Sequence, residues 1–397
     1  MLSTLFISFS IFEVAIRFLK PQRTYSALLY YTGEQYREGE FIPFTLKKNY
    51  EATSPSMEFP GKRVNIRTNS LGLRGKDIAL NKPEGFKRIL VLGDSYTFGV
   101  YCDNNEVYPA ELEELYNKDG FSGLEVINAG YADGWAPDEH YAWLVNKGVK
   151  FNPDIIIYGF FIGNDITGIH PTRWMELDNR ELPIRINNPD VYADKFGRLR
   201  SRVKDSKTVG TEFVYRIPLF RESHMCILFN RVINKIIRNN SVRKESIVNN
   251  GWGDNPFELI LNPKLSEDNR GKDVLFLKLI DGINEVAENS DAKFLILMIP
   301  INFQVEPNEF FHKVLGSNDF EIKRDYFKEL EPLLEHRNIE YINLLSLMKS
   351  NPNQKYYPRN GEVHFNPNGH KFTSNALKNK LDELGWLKES ILSTGKP

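Results

Sequence analysis

Cysteine is almost missing from this sequence: there are two in 397 residues, Cys102 and Cys226. So few exclude a disulfide-rich scaffold, their separation fits no metal knuckle, and one conceivable pair leaves the redox compartment open. A surplus of charge is missing too, since 51 Lys and Arg face 52 Asp and Glu. No overall field steers such a chain toward nucleic acid or a strongly acidic polymer, so no nucleic-acid partner is expected. Internal repeats and low-complexity tracts are also lacking. What is present is ordinary globular material, 41% hydrophobic and 26% charged. That is ample for a packed core, with length for about two domains.

The apolar residues concentrate first at the N-terminus. Met1 to Phe12 is almost wholly apolar, and the run continues through Leu19, broken only by Glu13 and Arg17. At about 1.5 Å per residue it is marginally long enough to cross a hydrocarbon core. Glu13 and Arg17 are four apart and can pair on one helix face, and no small-residue cleavage site follows. Residues 1–20 are therefore read as an uncleaved membrane anchor with the rest of the protein outside the cytoplasm, the alternative being an amphipathic first helix packed on the domain. Arg17, Lys20 and Arg23 follow the segment and oppose that orientation, a conflict that a start site further upstream resolves.

Residues 21–85 are mixed and read as a neck with one strand, Arg63 to Arg67, before the turn-like Asn69-Ser70-Leu71-Gly72. A strand and helix alternation follows. Arg88 to Leu92, Leu124 to Ile127 and Asp154 to Phe161 are apolar runs, each soon followed by glycine, and helical spacing appears between them. Buried runs without alternation, separated by helices, are the signature of parallel strands covered on both faces. The rhythm stops near His170 and resumes after Arg270. It then gives a helix over Val274 to Glu288, a strand Lys293 to Ile299, a helix Tyr326 to His336, a strand Tyr341 to Leu344 and a helix Gly369 to Leu384. The expectation is an α/β protein whose domain, residues 86–170 and 271–390, is interrupted by an insertion at 171–270, a lid or substrate-binding region with one amphipathic helix near Cys226 to Ile237.

In open parallel sheets the crevice lies beyond the carboxyl ends of the strands, so the residues just after each run converge. Ser95 follows the first run in Gly93-Asp94-Ser95, at a helix start with free backbone N–H groups. Gly130 follows the second and offers an unobstructed amide. Asn164 follows the third and offers a carboxamide. His364 lies in a polar loop before the last helix. Each alone reads more readily as turn, cap or solvated loop chemistry. Asp94 and Asp165 are read as caps or loop braces, and His140 and His370 as packing or surface residues on helices.

Together and in this order, Ser95, Gly130, Asn164 and His364 resemble the four blocks that name the SGNH, or GDSL-like, hydrolases. The resemblance covers about Arg88 to Ile169 and Val274 to Leu384. Upstream, the apolar start ending in Glu-x-x-x-Arg and the Asn69-Ser-Leu-Gly-Leu-Arg74 segment look like membrane-tethered bacterial members. It implies a three-layer α/β/α sandwich with the flavodoxin-like strand order, and no cofactor or metal. It also implies a carboxylic ester hydrolase in which Ser95 is nucleophile and His364 general base. The Ser95 and Gly130 amides and the Asn164 side chain would form the oxyanion hole. The implied substrate is a small-molecule or carbohydrate ester, with O-acetyl the leading acyl group. The family's orienting Asp usually stands three residues before the histidine. Here that position is Gly361, and Glu362, two before, is the candidate in its place; otherwise a backbone carbonyl orients a Ser–His dyad. Two alternatives remain at this stage, an acyl transferase using the same site and a non-catalytic binding protein that keeps the fold. A lipase is disfavoured because the insertion shows no long apolar lid pattern.

Overall fold

The computed structural model describes residues 2–20, 22, 36–56, 58–59, 62–131, 135–187, 191–193, 199–201, 220, 223–229, 232, 258–261, 267–306, 322–358 and 363–387. The chain begins with helix α1, Leu2–Leu19. Four short strands follow: β1 (Tyr36–Glu38) pairs antiparallel with β2 (Phe44–Leu46), and β3 (Glu51–Pro55) with β4 (Arg63–Arg67). Among the described residues, the region read as a neck with one strand holds two hairpins. Its missed strands are three to five residues long, and one ends in proline, so they carry little periodic signal.

The alternation then runs β5 (Lys87–Gly93), α2 (Ser95–Phe98), α3 (Tyr108–Lys118), β6 (Leu124–Gly130), α4 (Pro137–Asn146) and β7 (Ile155–Phe161). After the antiparallel hairpins β8/β9 (Trp174–Leu177, Pro183–Ile186) and β10/β11 (Val191–Ala193, Leu199–Ser201), it resumes. The later elements are α5 (Lys272–Asn289), β12 (Lys293–Ile299), α6 (Tyr326–Glu335), β13 (Glu340–Asn343), α7 (Leu344–Lys349) and α8 (Pro367–Leu384). Five strands pair in the order β13-β12-β7-β5-β6, all parallel, which is the expected flavodoxin-like order.

Burial explains the strand sequences. Every residue of β7 is buried, as are all but the first of β5 and of β12, because helices cover both faces. Helix α3 packs with α8, and Tyr116 donates to Asp382 Oδ1 across that contact at 3.0 Å. Helix α4 packs with α5 and with β9. The right-handed crossover rule puts these two pairs on opposite faces of the sheet. Full burial of an aliphatic or aromatic side chain stabilises by about 1.5–3 kcal/mol, so the continuous core over the sheet is the main favourable contribution to the fold.

Among its described side chains, helix α1 leaves several large apolar residues in solvent. Ile11, Phe12, Val14 and Phe18 are more than half exposed and Leu19 is 85% exposed. Glu13 pairs with Arg17 at 2.8 Å, as their spacing predicts. It also accepts from the Ser223 hydroxyl and the His224 and Met225 amides, so α1 is joined to a helical segment at 224–229 within the insertion. Burial raises the Glu13 pKa, but the Met225 amide, Arg17, Ser223 and His224 outweigh it and hold the carboxylate at about 2. The rest of the helix read near Cys226 to Ile237 lies outside the described residues apart from position 232. Among the described residues no helix is long and apolar enough to cross a membrane. Cys102 and Cys226 are unpaired.

Candidate active site

Strand β5 leads into Ser95. Gly93 ends it at φ 154°, a conformation side chains avoid, and an added Cβ there would stand 2.1 Å from Thr97 Oγ1. The tight turn expected of this glycine is thus present. Asp94 then caps α2, accepting from the Tyr96 amide at 2.9 Å, and Ser95 is the first helical residue.

The histidine arrives from the other end of the chain. Asn366 caps α8 through the Gly369 amide at 2.9 Å, which fixes the loop just before it. His364 Nε2 lies 2.8 Å from Ser95 Oγ, and the two residues are only 8% and 6% exposed. A nucleophile and base within hydrogen-bond reach is the geometry that general-base activation requires. His364 is flanked by two rings, Tyr96 at 5.3 Å and Tyr101 at 5.7 Å between centroids. Tyr96 also donates its hydroxyl to the Val363 carbonyl. Neither tyrosine was picked out by the motifs, although Tyr96 directly follows the Gly-Asp-Ser block.

Gly130 sits where expected, at the carboxyl end of β6, but its amide donates to Asn128 Oδ1 at 2.9 Å. The glycine has a packing cause of its own, because a Cβ there would meet the Phe98 backbone nitrogen at 2.2 Å. Close approach of β6 to α2 therefore requires this residue whatever its amide does. The Asn164 side chain comes to Asp94, the neighbour of Ser95, and its Oδ1 is buried without a partner among the described residues. Glu362 lies outside the described residues.

Asp94 does more than cap. Burial drives its carboxyl up to about 6, against the opposing pull of the Tyr96 amide, the His364 charge and the side chains of Asn164 and Ser95. Asp165 is the brace expected of it: it accepts from Tyr158 at 2.8 Å and from the Phe161 amide at 2.9 Å. Burial first, and Asp94 second, push its pKa well above the ordinary carboxylate value. His140 and His370 are fully buried packing residues on α4 and α8, and burial lowers both to about 3. Among the described residues no group of three His, Cys, Asp or Glu side chains could hold a metal ion.

These residues define a buried Ser–His pair at the carboxyl edge of a parallel α/β sheet. No protein-family model matches the chain, and no curated protein does. Among solved structures the chain is similar to the lipase/acylhydrolase from Enterococcus faecalis, at 11% identity over 75% of this chain and 97% of that one, with a TM-score of 0.38. It is similar to the acetyl xylan esterase AlAXEase at 14% identity over 74% and 99%, with a TM-score of 0.36. A catalytic mutant of an acetylxylan esterase from Geobacillus stearothermophilus matches at 11% identity over 77% and 98%, with a TM-score of 0.35.

Proposed function

We propose that this protein is a serine ester hydrolase of the SGNH kind that cleaves an O-acyl ester through an acyl-enzyme. The observation that carries the reading is the 2.8 Å contact between Ser95 Oγ and His364 Nε2. His364 takes the hydroxyl proton as Ser95 attacks the ester carbonyl, then returns it to the departing alcohol. Water, deprotonated by His364, attacks the acyl-enzyme; the acyl–Oγ bond breaks, His364 returns the proton to Ser95 Oγ, and the acid departs. The Ser95 amide at the start of α2 and a second N–H of Asn164 are the donors assigned to the oxyanion. The Gly130 amide joins them only by leaving Asn128. Glu362 remains the assigned orienting acid on its sequence position.

The acyl group is proposed to be short, with a carbohydrate O-acetyl ester as substrate, on the strength of the motif resemblance. The exposed Phe12, Phe18 and Leu19 support a membrane-surface location through α1, tested by flotation with lipid vesicles. The deciding experiment is hydrolysis of 4-nitrophenyl acetate by the full chain and by Ser95→Ala. Wild-type turnover that Ser95→Ala loses by at least about 10³-fold supports the assignment. Equal rates, or none from either protein, reject it. Free acetate against acetylated sugar as product separates hydrolysis from transfer.

A further inference from the structure

The Asn69-Ser-Leu-Gly-Leu-Arg74 segment has no part in the reaction above, yet it ends inside the molecule directly behind the nucleophile. Asn69 Oδ1 accepts from the Leu71 and Leu73 amides at 3.0 Å each, folding the segment into a turn. Its last residue, Arg74, bridges to Asn128 of β6 and is only 3% exposed. The guanidinium donates to the Phe98 and Gly99 carbonyls at 2.5 Å and to the Cys102 carbonyl at 2.6 Å, while Nε donates to Asn104 Oδ1 at 3.0 Å. It also lies 4.8 Å from the centre of the Phe98 ring.

Helix α2 needs such a partner. It has only four residues, too few for a helix to be stable alone. Its last carbonyls have no intrahelical donor, and burial denies them water. A cation at this end also opposes the negative pole of the helix. Asn128 Nδ2 holds the Thr97 carbonyl at 2.9 Å, and Arg74 holds the next two. The Gly99 amide in turn donates to the carbonyl of Ser95 at 2.9 Å. A continuous set of bonds therefore runs from Arg74 through Gly99 to the nucleophile.

The geometry points to Arg74 as a positioning residue, by which the N-terminal hairpin region sets where Ser95 Oγ stands relative to His364. It touches neither substrate nor reacting atoms. A cavity of about 230 Å³ is lined by Arg74, Asn128, Asn69 and Asn104 but by neither Ser95 nor His364.

The test compares full-length wild type, Arg74→Lys and Arg74→Ala by 4-nitrophenyl acetate kinetics and by amide exchange over residues 95–102. Arg74→Ala is expected to lose about 10²-fold in kcat with KM nearly unchanged, the loss typical of a nucleophile misplaced by an ångström. Exchange at 98–102 speeds up, Arg74→Lys keeps part of the activity, and millimolar methylguanidinium restores part of it to Arg74→Ala. Unchanged kcat in Arg74→Ala, a loss confined to KM, or wild-type exchange over 95–102 overturns the inference. Its kinetic arm rests on the ester-hydrolase reading; if wild type hydrolyses no ester that reading falls alone, and exchange still decides the role of Arg74.

Discussion

The Tyr96 hydroxyl donates to the carbonyl of Val363, so the residue after Ser95 holds the residue before His364. Burial raises the Tyr96 pKa well above its ordinary value, and the phenol therefore stays a donor across the working range. A neutral hydrogen bond is worth about 1 kcal/mol net, or up to about tenfold in a rate that depends on it. Tyr96→Phe is expected to lower kcat for 4-nitrophenyl acetate by several-fold to about tenfold with little change in KM. An unchanged kcat would show that the His364 loop is held without this bond.

Asn164 and Gly130 are expected to fail in different ways. Removing one oxyanion donor typically costs on the order of 10²–10³ in kcat, so Asn164→Ala should be slow but folded, with a melting temperature close to wild type. Gly130→Ala places a methyl 2.2 Å from the Phe98 nitrogen and must push α2 away from β6. Its melting temperature falls together with its activity. Thermal melts beside kinetics distinguish the two, and full activity in Asn164→Ala would remove that residue from the oxyanion site.

How much of this could be read beforehand depends on whether the cause is local. The parallel sheet was legible because runs such as Lys293–Ile299 are buried on both faces and carry no polar alternation. The meeting of Ser95 and His364 was legible only from four blocks standing in order, since turn and cap chemistry accounts for either residue alone. The first hairpins were not, since Tyr36–Glu38 and Phe44–Leu46 take their strand character from pairing rather than pattern. The bond from the Gly130 amide to Asn128 was hidden for a similar reason, because it depends on a side-chain rotamer. So were the burial of Arg74 against the carbonyls of Phe98, Gly99 and Cys102 and the raised pKa of Asp94, which arise only in the folded packing.

Asp94 gives a pH dependence whose sign follows from its direction of shift. Its carboxyl is raised from 3.8 to about 6, so it is protonated below that pH and ionised above it. The ionised form favours the positive His364 that forms as Ser95 is deprotonated, and kcat/KM should rise as pH passes through about 6. The contribution to stability runs the other way: it is fully present below 3.8 and lost as pH rises through about 6. Asp94→Asn is therefore expected to be slower yet relatively more stable at pH 8 than at pH 5. A matched profile for Glu362→Gln tells which carboxyl the imidazolium uses, because only the true partner shifts the acid limb when removed.

His140 gives the opposite sign. It is fully buried on α4 against Trp135 and Tyr158, and neither ring nitrogen has a partner among the described residues. Burial lowers its pKa from 6.5 to about 3, so it stays neutral in the folded protein while the unfolded chain takes up a proton below 6.5. Stability from this group is thus full above 6.5 and is lost as pH falls toward 3, with a slope of about 1.4 kcal/mol per pH unit for one proton. Leu or Phe at this position removes two unpaired polar atoms from the core along with the titration, and such exchanges are often neutral or stabilising. Denaturant midpoints between pH 7 and 4 should therefore fall less steeply for His140→Leu than for wild type, with the variant ahead at the acid end. Parallel curves would mean that the acid sensitivity of the fold comes from elsewhere, His370 being the next residue to replace.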